Sequence, residues 1–229
     1  MSGLFEKDLR MIMQRKKVFI IFVLLAVFIG YSQVSPEFVL GYIPMLTIIV
    51  IVGTISYDEY DNGYRFLMTL PIDAKMYVLE KYIFFIAGTI TSWVEAFIIY
   101  FGIMIVKNQT ISISGEGEVM FVSLIVMLLF VACIIPVHIK YGVEKSNIAL
   151  IIFIGTVAVV FYCIRKIIGM DRLIKISAFL DNVNIAMLIL VGIIFTVILL
   201  FISYIISYSV MRKKAVSYTH LTLPTNREV

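Results

Sequence analysis

The sequence has few cysteines, histidines and charged residues, and each scarcity excludes a class of protein. Two cysteines in 229 residues cannot form the disulfide framework of a small secreted domain. Of the two histidines only His138 lies before the last segment, so a histidine metal site is not expected. Charged residues make up 15% of the chain and hydrophobic residues 62%, which excludes a soluble single-domain enzyme and a disordered chain.

The familiar signatures of nucleotide binding and metal catalysis are also missing. The P-loop pattern G-x-x-x-x-G-K-[ST] does not occur, so we expect that the chain does not hold nucleotide phosphates by itself. The patterns H-E-x-x-H and C-x-x-C are absent as well. The net charge of +4 is modest and gives no reason to expect nucleic acid as a partner. We therefore predict a chain that is not an enzyme and carries no cofactor or metal of its own.

What the sequence does contain is long apolar segments. Six of them are long enough to cross a hydrocarbon core, which needs about 20 helical residues. They lie at 18–35, 38–56, 82–106, 119–137, 147–164 and 185–208. The runs are continuous, and lipid offers no partners to backbone polar groups, so helices are favoured over the alternating strands of a barrel. We predict an all-α polytopic membrane protein with six transmembrane helices, in one domain over 18–209.

Lysine and arginine in the short flanks predict that both termini are cytoplasmic. The cytoplasmic flanks then hold Lys7, Arg10, Arg15, Lys16, Lys17, Arg65, Lys75, Lys81, Lys140, Lys145, Arg212, Lys213 and Lys214. The outer loops hold Lys107, Arg165, Lys166, Arg172 and Lys175. Thirteen basic residues inside against five outside favour this orientation, and the segment 165–184 fits it least well.

The two ends of the chain differ from its middle. Residues 1–17 have an amphipathic helical pattern, which predicts a basic interfacial helix, although a simple basic topology anchor explains the same charges. Residues 210–215 form a basic cytoplasmic end. The last fourteen residues, 216–229, resemble the translation of a transposon adapter used in sequencing libraries, and we interpret them as an assembly artefact.

The cytoplasmic loop at 57–80 contains an apolar segment outside the predicted membrane. Asn62-Gly63 indicates a turn, and Pro71 ends a stretch long enough for about two helical turns. The side chains of Tyr64, Phe66 and Leu67 would need a surface to cover them. That surface belongs either to another protein or to the bundle itself and the adjacent headgroups.

Glu95 lies near the middle of the third predicted span. An acid at that depth is costly and usually faces other helices or a wet cavity. It borders Gly88, Ser92 and Ala96, a stripe of small residues that allows another helix to approach closely. We expect Glu95 to meet protein. It then contacts a cationic substrate, links subunits, or is a protonated carboxyl hydrogen-bonded to a neighbouring helix.

Three short motifs resemble the ABC-2 type permease family of bacterial ATP-binding-cassette exporters. They are Tyr57-Asp58-Glu59, Leu70-Pro71-Ile72 and Lys81-Tyr82. With the six-span layout and the basic N-terminal helix, the resemblance extends over nearly all of 1–214.

The resemblance implies a bacterial inner-membrane permease that exports a peptide, toxin or lipophilic drug. Two permease subunits, identical or different, form the path in the lipid bilayer, and a separate cytoplasmic ATP-binding subunit holds ATP and magnesium. That subunit docks on a coupling helix between the second and third spans. The implied coupling residues are Asp58, Glu59, Tyr64, Phe66, Leu67, Leu70 and Pro71.

Two other kinds of transport protein remain as alternatives. A six-span substrate-binding subunit of a vitamin-type importer also relies on a separate ATPase, but we expect it to carry an alanine-rich face in its first span. An ion-coupled secondary transporter needs more than one intramembrane charge. An intramembrane protease of the paired-carboxylate type does not fit, because Glu95 stands alone.

Overall fold

The computed structural model describes residues 2–32, 36–60, 63–64, 72–108, 113–168 and 185–221. Within these ranges the regular structure is entirely helical, which confirms the predicted all-α class. The helices are α1 Ser2–Gln14, α2 Lys16–Tyr31, α3 Phe38–Glu59, α4 Ala74–Val106, α5 Ile113–Ile168 and α6 Ile185–Leu221.

Four segments in the described part of the chain are long and apolar enough to cross a membrane. They are Phe38–Glu59, Ala74–Val106, Gly117–Gly142 and Ile185–Ala215. These correspond to the second, third, fourth and sixth predicted spans. The first predicted span falls on α2, whose 16 residues measure about 24 Å and are fewer than a membrane helix usually has. The fifth falls on the part of α5 beyond Gly142, so the number six remains a prediction.

The helix α5 is broken at Gly142. This residue has φ of +73°, a conformation that residues with a side chain rarely adopt. A Cβ atom at this position would also overlap the carboxylate of Glu59 at the end of α3. Glycine is therefore required here, and its close approach places the bend of α5 against the end of α3.

Polar contacts define two ends of the bundle. At one end Arg15 donates to the Tyr57 hydroxyl with a distance of 2.5 Å, which joins the start of α2 to the end of α3. At the other end the Lys107 ammonium donates to the Ser32 carbonyl at 3.1 Å, which joins the ends of α2 and α4. Helix α2 therefore runs antiparallel to α3 and parallel to α4. We call the end that holds α1, the end of α3 and the start of α4 the charged end.

Two clusters of buried apolar side chains hold the helices together. The cluster nearer the charged end includes Ile55, Phe85 and Ile135, and the other includes Leu40 and Ala96. Of the apolar window in α3, 61% is buried within the chain, against 6% of the window in α6. Helix α3 is thus the centre of the bundle, and α6 lies at its edge with most of its apolar surface open to its surroundings.

Candidate functional site

A cluster of buried charged side chains lies at the charged end of the bundle. Lys81 of α4 and Asp8 of α1 have no solvent-exposed surface, and Asp58 of α3 is 5% exposed. The Lys81 ammonium donates a hydrogen bond to Asp8 and lies 2.7 Å from Oδ2 of Asp58. Lys7, which is one-third exposed, donates to Asp58 and lies 3.2 Å from Asp8. Two lysines and two aspartates thus join three helices.

Burial explains why these groups must stay together. A charge moved out of water is costly unless an opposite charge and hydrogen bonds replace the lost hydration. Lys81 has two carboxylates for this purpose and a weaker contact of 3.5 Å with the Thr54 hydroxyl. The Tyr77 hydroxyl donates to Asp58 at 3.0 Å. The cluster therefore holds α1, α3 and α4 together, and we call it a structural lock. Removing one charged side chain leaves another one buried without its partner.

Glu80 adds a third carboxylate to this cluster. It is 1% exposed, and its closest charged contact is the Lys81 ammonium at 3.8 Å. Within the described residues neither of its side-chain oxygens accepts a hydrogen bond. When all groups are ionised the cluster therefore holds one more carboxylate than ammonium.

A second set of contacts lies beside the cluster, where the predicted coupling loop begins. The ring of Tyr64 is 2% exposed and meets the ring of Tyr77 edge-on at 5.8 Å. Lys214 near the end of α6 lies 5.6 Å above the Tyr64 ring and 3.8 Å from the Glu59 carboxylate. These contacts bring the ends of α3 and α6 to the same place as the start of α4.

The structure places the predicted coupling residues unevenly. Asp58 belongs to the buried cluster, Glu59 faces Lys214, and Tyr64 is covered by the bundle. The packing of Tyr64 agrees with the alternative in which this part of the loop folds back on its own helices. Phe66, Leu67, Leu70 and Pro71 lie outside the described residues. Their contact with a partner, like that of the other three, stays a prediction.

Comparison with known proteins decides the family. The family model described as ABC-2 family transporter protein matches residues 3–212, which is most of the chain. The chain belongs to this family. No curated protein and no solved structure matches it significantly.

Membership defines the general role of this ABC-2 chain. It is a transmembrane component of an ATP-binding-cassette transporter, and the family implies association with an ATP-binding subunit. The resemblance predicted from the three short motifs is therefore confirmed. Two of those motifs contribute to the cluster, because Asp58 and Lys81 form an ion pair across the ends of the predicted coupling loop.

Other members of the cluster in the ABC-2 chain were not predicted. Lys7 and Lys81 were counted as cytoplasmic basic residues, and Asp8, Tyr77 and Glu80 were not singled out. The spacing of residues in α1 did indicate that Asp8 is buried. Asp8 follows Leu4 by one helical turn, on the side of α1 that packs against the bundle. A lone acid on an apolar stripe indicates a buried partner for its charge.

The small-residue stripe of the ABC-2 chain packs within the bundle, but its acidic neighbour does not. Ser92 and Ala96 are buried, and a Cβ atom on Gly88 would collide with Ile51 of α3. Glu95 is exposed in the single chain and lines a groove, and its contact with a substrate or a second subunit stays a prediction. The stripe faces α3, whereas Glu95 lies at its edge, where the neighbouring helices leave a groove.

Proposed function

We propose that this chain is the permease subunit of an exporter in the bacterial inner membrane. It moves a peptide, toxin or lipophilic drug, and a separate subunit hydrolyses the ATP. A second permease subunit, identical or related, completes the path. Family membership supports the general role, and the buried cluster that joins the end of α3 to the start of α4 is the observation that carries the mechanism.

The cluster fixes both ends of the predicted coupling loop to one body. Asp58 holds the end of α3, and Tyr77 and Lys81 hold the start of α4. Lys7 and Asp8 attach α1 to the same point. A force applied to the loop by an ATP-binding subunit is then transmitted to α1, α3 and α4 together. The partner shifts the permease between two states by binding one of them better than the other.

We also propose six crossings with both termini in the cytoplasm. The bend of α5 at Gly142 lies beside Glu59, and α6 brings Lys214 to the same residue. Because α6 is itself a candidate span that ends at the charged end, the chain has to return to the opposite end after Gly142, before α6 begins. Residues 143–168 are long enough for that crossing at about 1.5 Å per helical residue. The excess of basic residues supports a cytoplasmic location for the charged end.

Cysteine labelling tests this topology. In a background without Cys133 and Cys163, Ser114→Cys should react with a membrane-impermeant maleimide from outside intact cells. Ser146→Cys should react only after the cells are opened, because it follows the bend at Gly142. Labelling of Ser146→Cys in intact cells would contradict the proposed orientation.

Co-purification tests the coupling role. The double replacement Phe66→Asp and Leu67→Asp should release the ATP-binding subunit from the membrane fraction, because charged side chains cannot enter an apolar contact. The matched control is Tyr31→Asp, an exposed aromatic position at the opposite end of the bundle.

Two results would contradict the proposed function. One is unchanged association of the ATP-binding subunit with the double variant. The other is transport by the purified chain in liposomes that contain no nucleotide-hydrolysing partner.

A further inference from the structure

A groove runs along α4 on the side where α1 and α2 approach it. Its volume is about 300 Å³, within the range of small-molecule sites. Apolar side chains of four helices form most of its wall, among them Phe5, Phe19, Ile51 and Phe84. Glu95 is the one charged residue among those that line it in the described part of the chain.

The carboxylate of Glu95 is the charged group of this groove. Two of the lining hydroxyls are already used, because Thr91 donates to the carbonyls of Ala87 and Gly88 and Ser92 donates to that of Thr89. Among the described residues, no hydrogen bond or ion pair reaches the Glu95 carboxylate. The groove therefore combines a mostly apolar wall, to which the Thr47 hydroxyl also contributes, with one unpaired carboxylate.

The position of Glu95 along α4 favours a partner other than a phospholipid headgroup. Glu95 follows Lys81 by fourteen residues on one helix, which places it about 21 Å from the buried cluster along the axis. Phospholipid headgroups lie at the interface, and their phosphate would repel a carboxylate. A small molecule with an amine and an apolar body has no such restriction.

We propose that this groove binds a cationic amphiphile. The protonated amine pairs with the Glu95 carboxylate, and the apolar body lies along Phe84 towards Phe5 of α1. An unpaired carboxylate in hydrocarbon is unfavourable, and an ammonium partner removes that cost. The inference rests on the proposed function only in that the bound molecule would be transported cargo.

Equilibrium binding to the purified full chain tests the inference without any ATP-binding subunit. The chain is placed in phosphatidylcholine nanodiscs, and the probe is a primary alkylamine with a fluorophore at the end of its chain. The alcohol of the same length and fluorophore is the neutral probe, and empty nanodiscs give the background. Glu95→Gln should raise the Kd of the amine about tenfold, since a charge-assisted contact is lost. It should leave the Kd of the alcohol unchanged.

Two further variants separate charge from shape. Thr91→Phe fills the groove and keeps the carboxylate, so it should weaken the binding of both probes. Glu37→Gln removes an exposed acid just before α3 and should change neither.

Three outcomes would overturn the inference. Equal binding of amine and alcohol to the unaltered chain is the first, and unchanged amine binding by Glu95→Gln is the second. Competition by added phosphatidylethanolamine is the third, because it would assign the groove to a lipid. The binding assay contains no ATP-binding subunit, so its failure would leave the proposed coupling role standing. Failure of the co-purification experiment would likewise leave the proposed amine site standing.

Discussion

Helix α4 carries two ionisable residues in opposite situations. Lys81 is completely buried and has two aspartates within ion-pair distance, whereas Glu95 is exposed and has no partner among the described residues. The paired charge fixes the positions of three helices, so it serves the structure. The unpaired charge fixes nothing within the described residues and remains available to a ligand.

The largest expected effect comes from removing the paired charge. Lys81→Met leaves Asp8 and Asp58 buried without their cation, and breaking a buried pair costs about 3–5 kcal/mol. Thermal unfolding of the detergent-purified chain should show a strongly lowered Tm, or the variant should fail to accumulate. Lys75→Met changes an exposed lysine on the same helix that makes no ion pair among the described residues, and it should keep the original Tm. Equal Tm values for the two variants would show that the cluster is not a lock.

A smaller effect is expected from a neutral contact in the same helix. The Tyr82 hydroxyl lies 2.6 Å from that of Ser203 and 2.9 Å from that of Ser207, and these bonds join α4 to α6. Tyr82→Phe should cost about 0.6 kcal/mol, the average for such bonds in membrane proteins. The same unfolding assay measures it, with Tyr204→Phe as a control that leaves the Tyr82 bonds in place. A loss as large as that of Lys81→Met would place the main lock between α4 and α6.

The smallest effect on stability is expected at the unpaired charge. Glu95→Gln keeps the shape of the side chain and removes a carboxylate from apolar surroundings, so the Tm should stay the same or rise. The measurement is again thermal unfolding, now without added amine. A clear fall in Tm would mean that Glu95 has a structural partner and would remove the contrast with Lys81.

Hydropathy alone was sufficient for the helical class and for the four long spans. The periodic signal also placed α1, because Phe5, Leu9 and Ile12 share one side of a helix. The charged cluster could not be derived in this way. Lys7 and Asp58 are 51 residues apart and Asp8 and Lys81 are 73 apart, and no local pattern indicates which distant groups share a buried site.

The exposure of Glu95 could not be predicted for a different reason. Its position at the edge of the small-residue stripe was clear from spacing, but its surroundings depend on how α1 and α2 approach α4. The surroundings of Tyr64 could not be predicted from local spacing either. Its apolar ring had to be covered, but the sequence around it did not indicate that Tyr77 and Lys214 would pack against it.

The position of Asp8 has a consequence for the order of biosynthesis. The ribosome makes Asp8 73 residues before its counter-ion Lys81. Until α4 has been synthesised, Asp8 lacks its partner on that helix, so the ion pair that attaches α1 to α4 can form only afterwards. The packing of the first helix therefore depends on a residue that enters the chain three helices later.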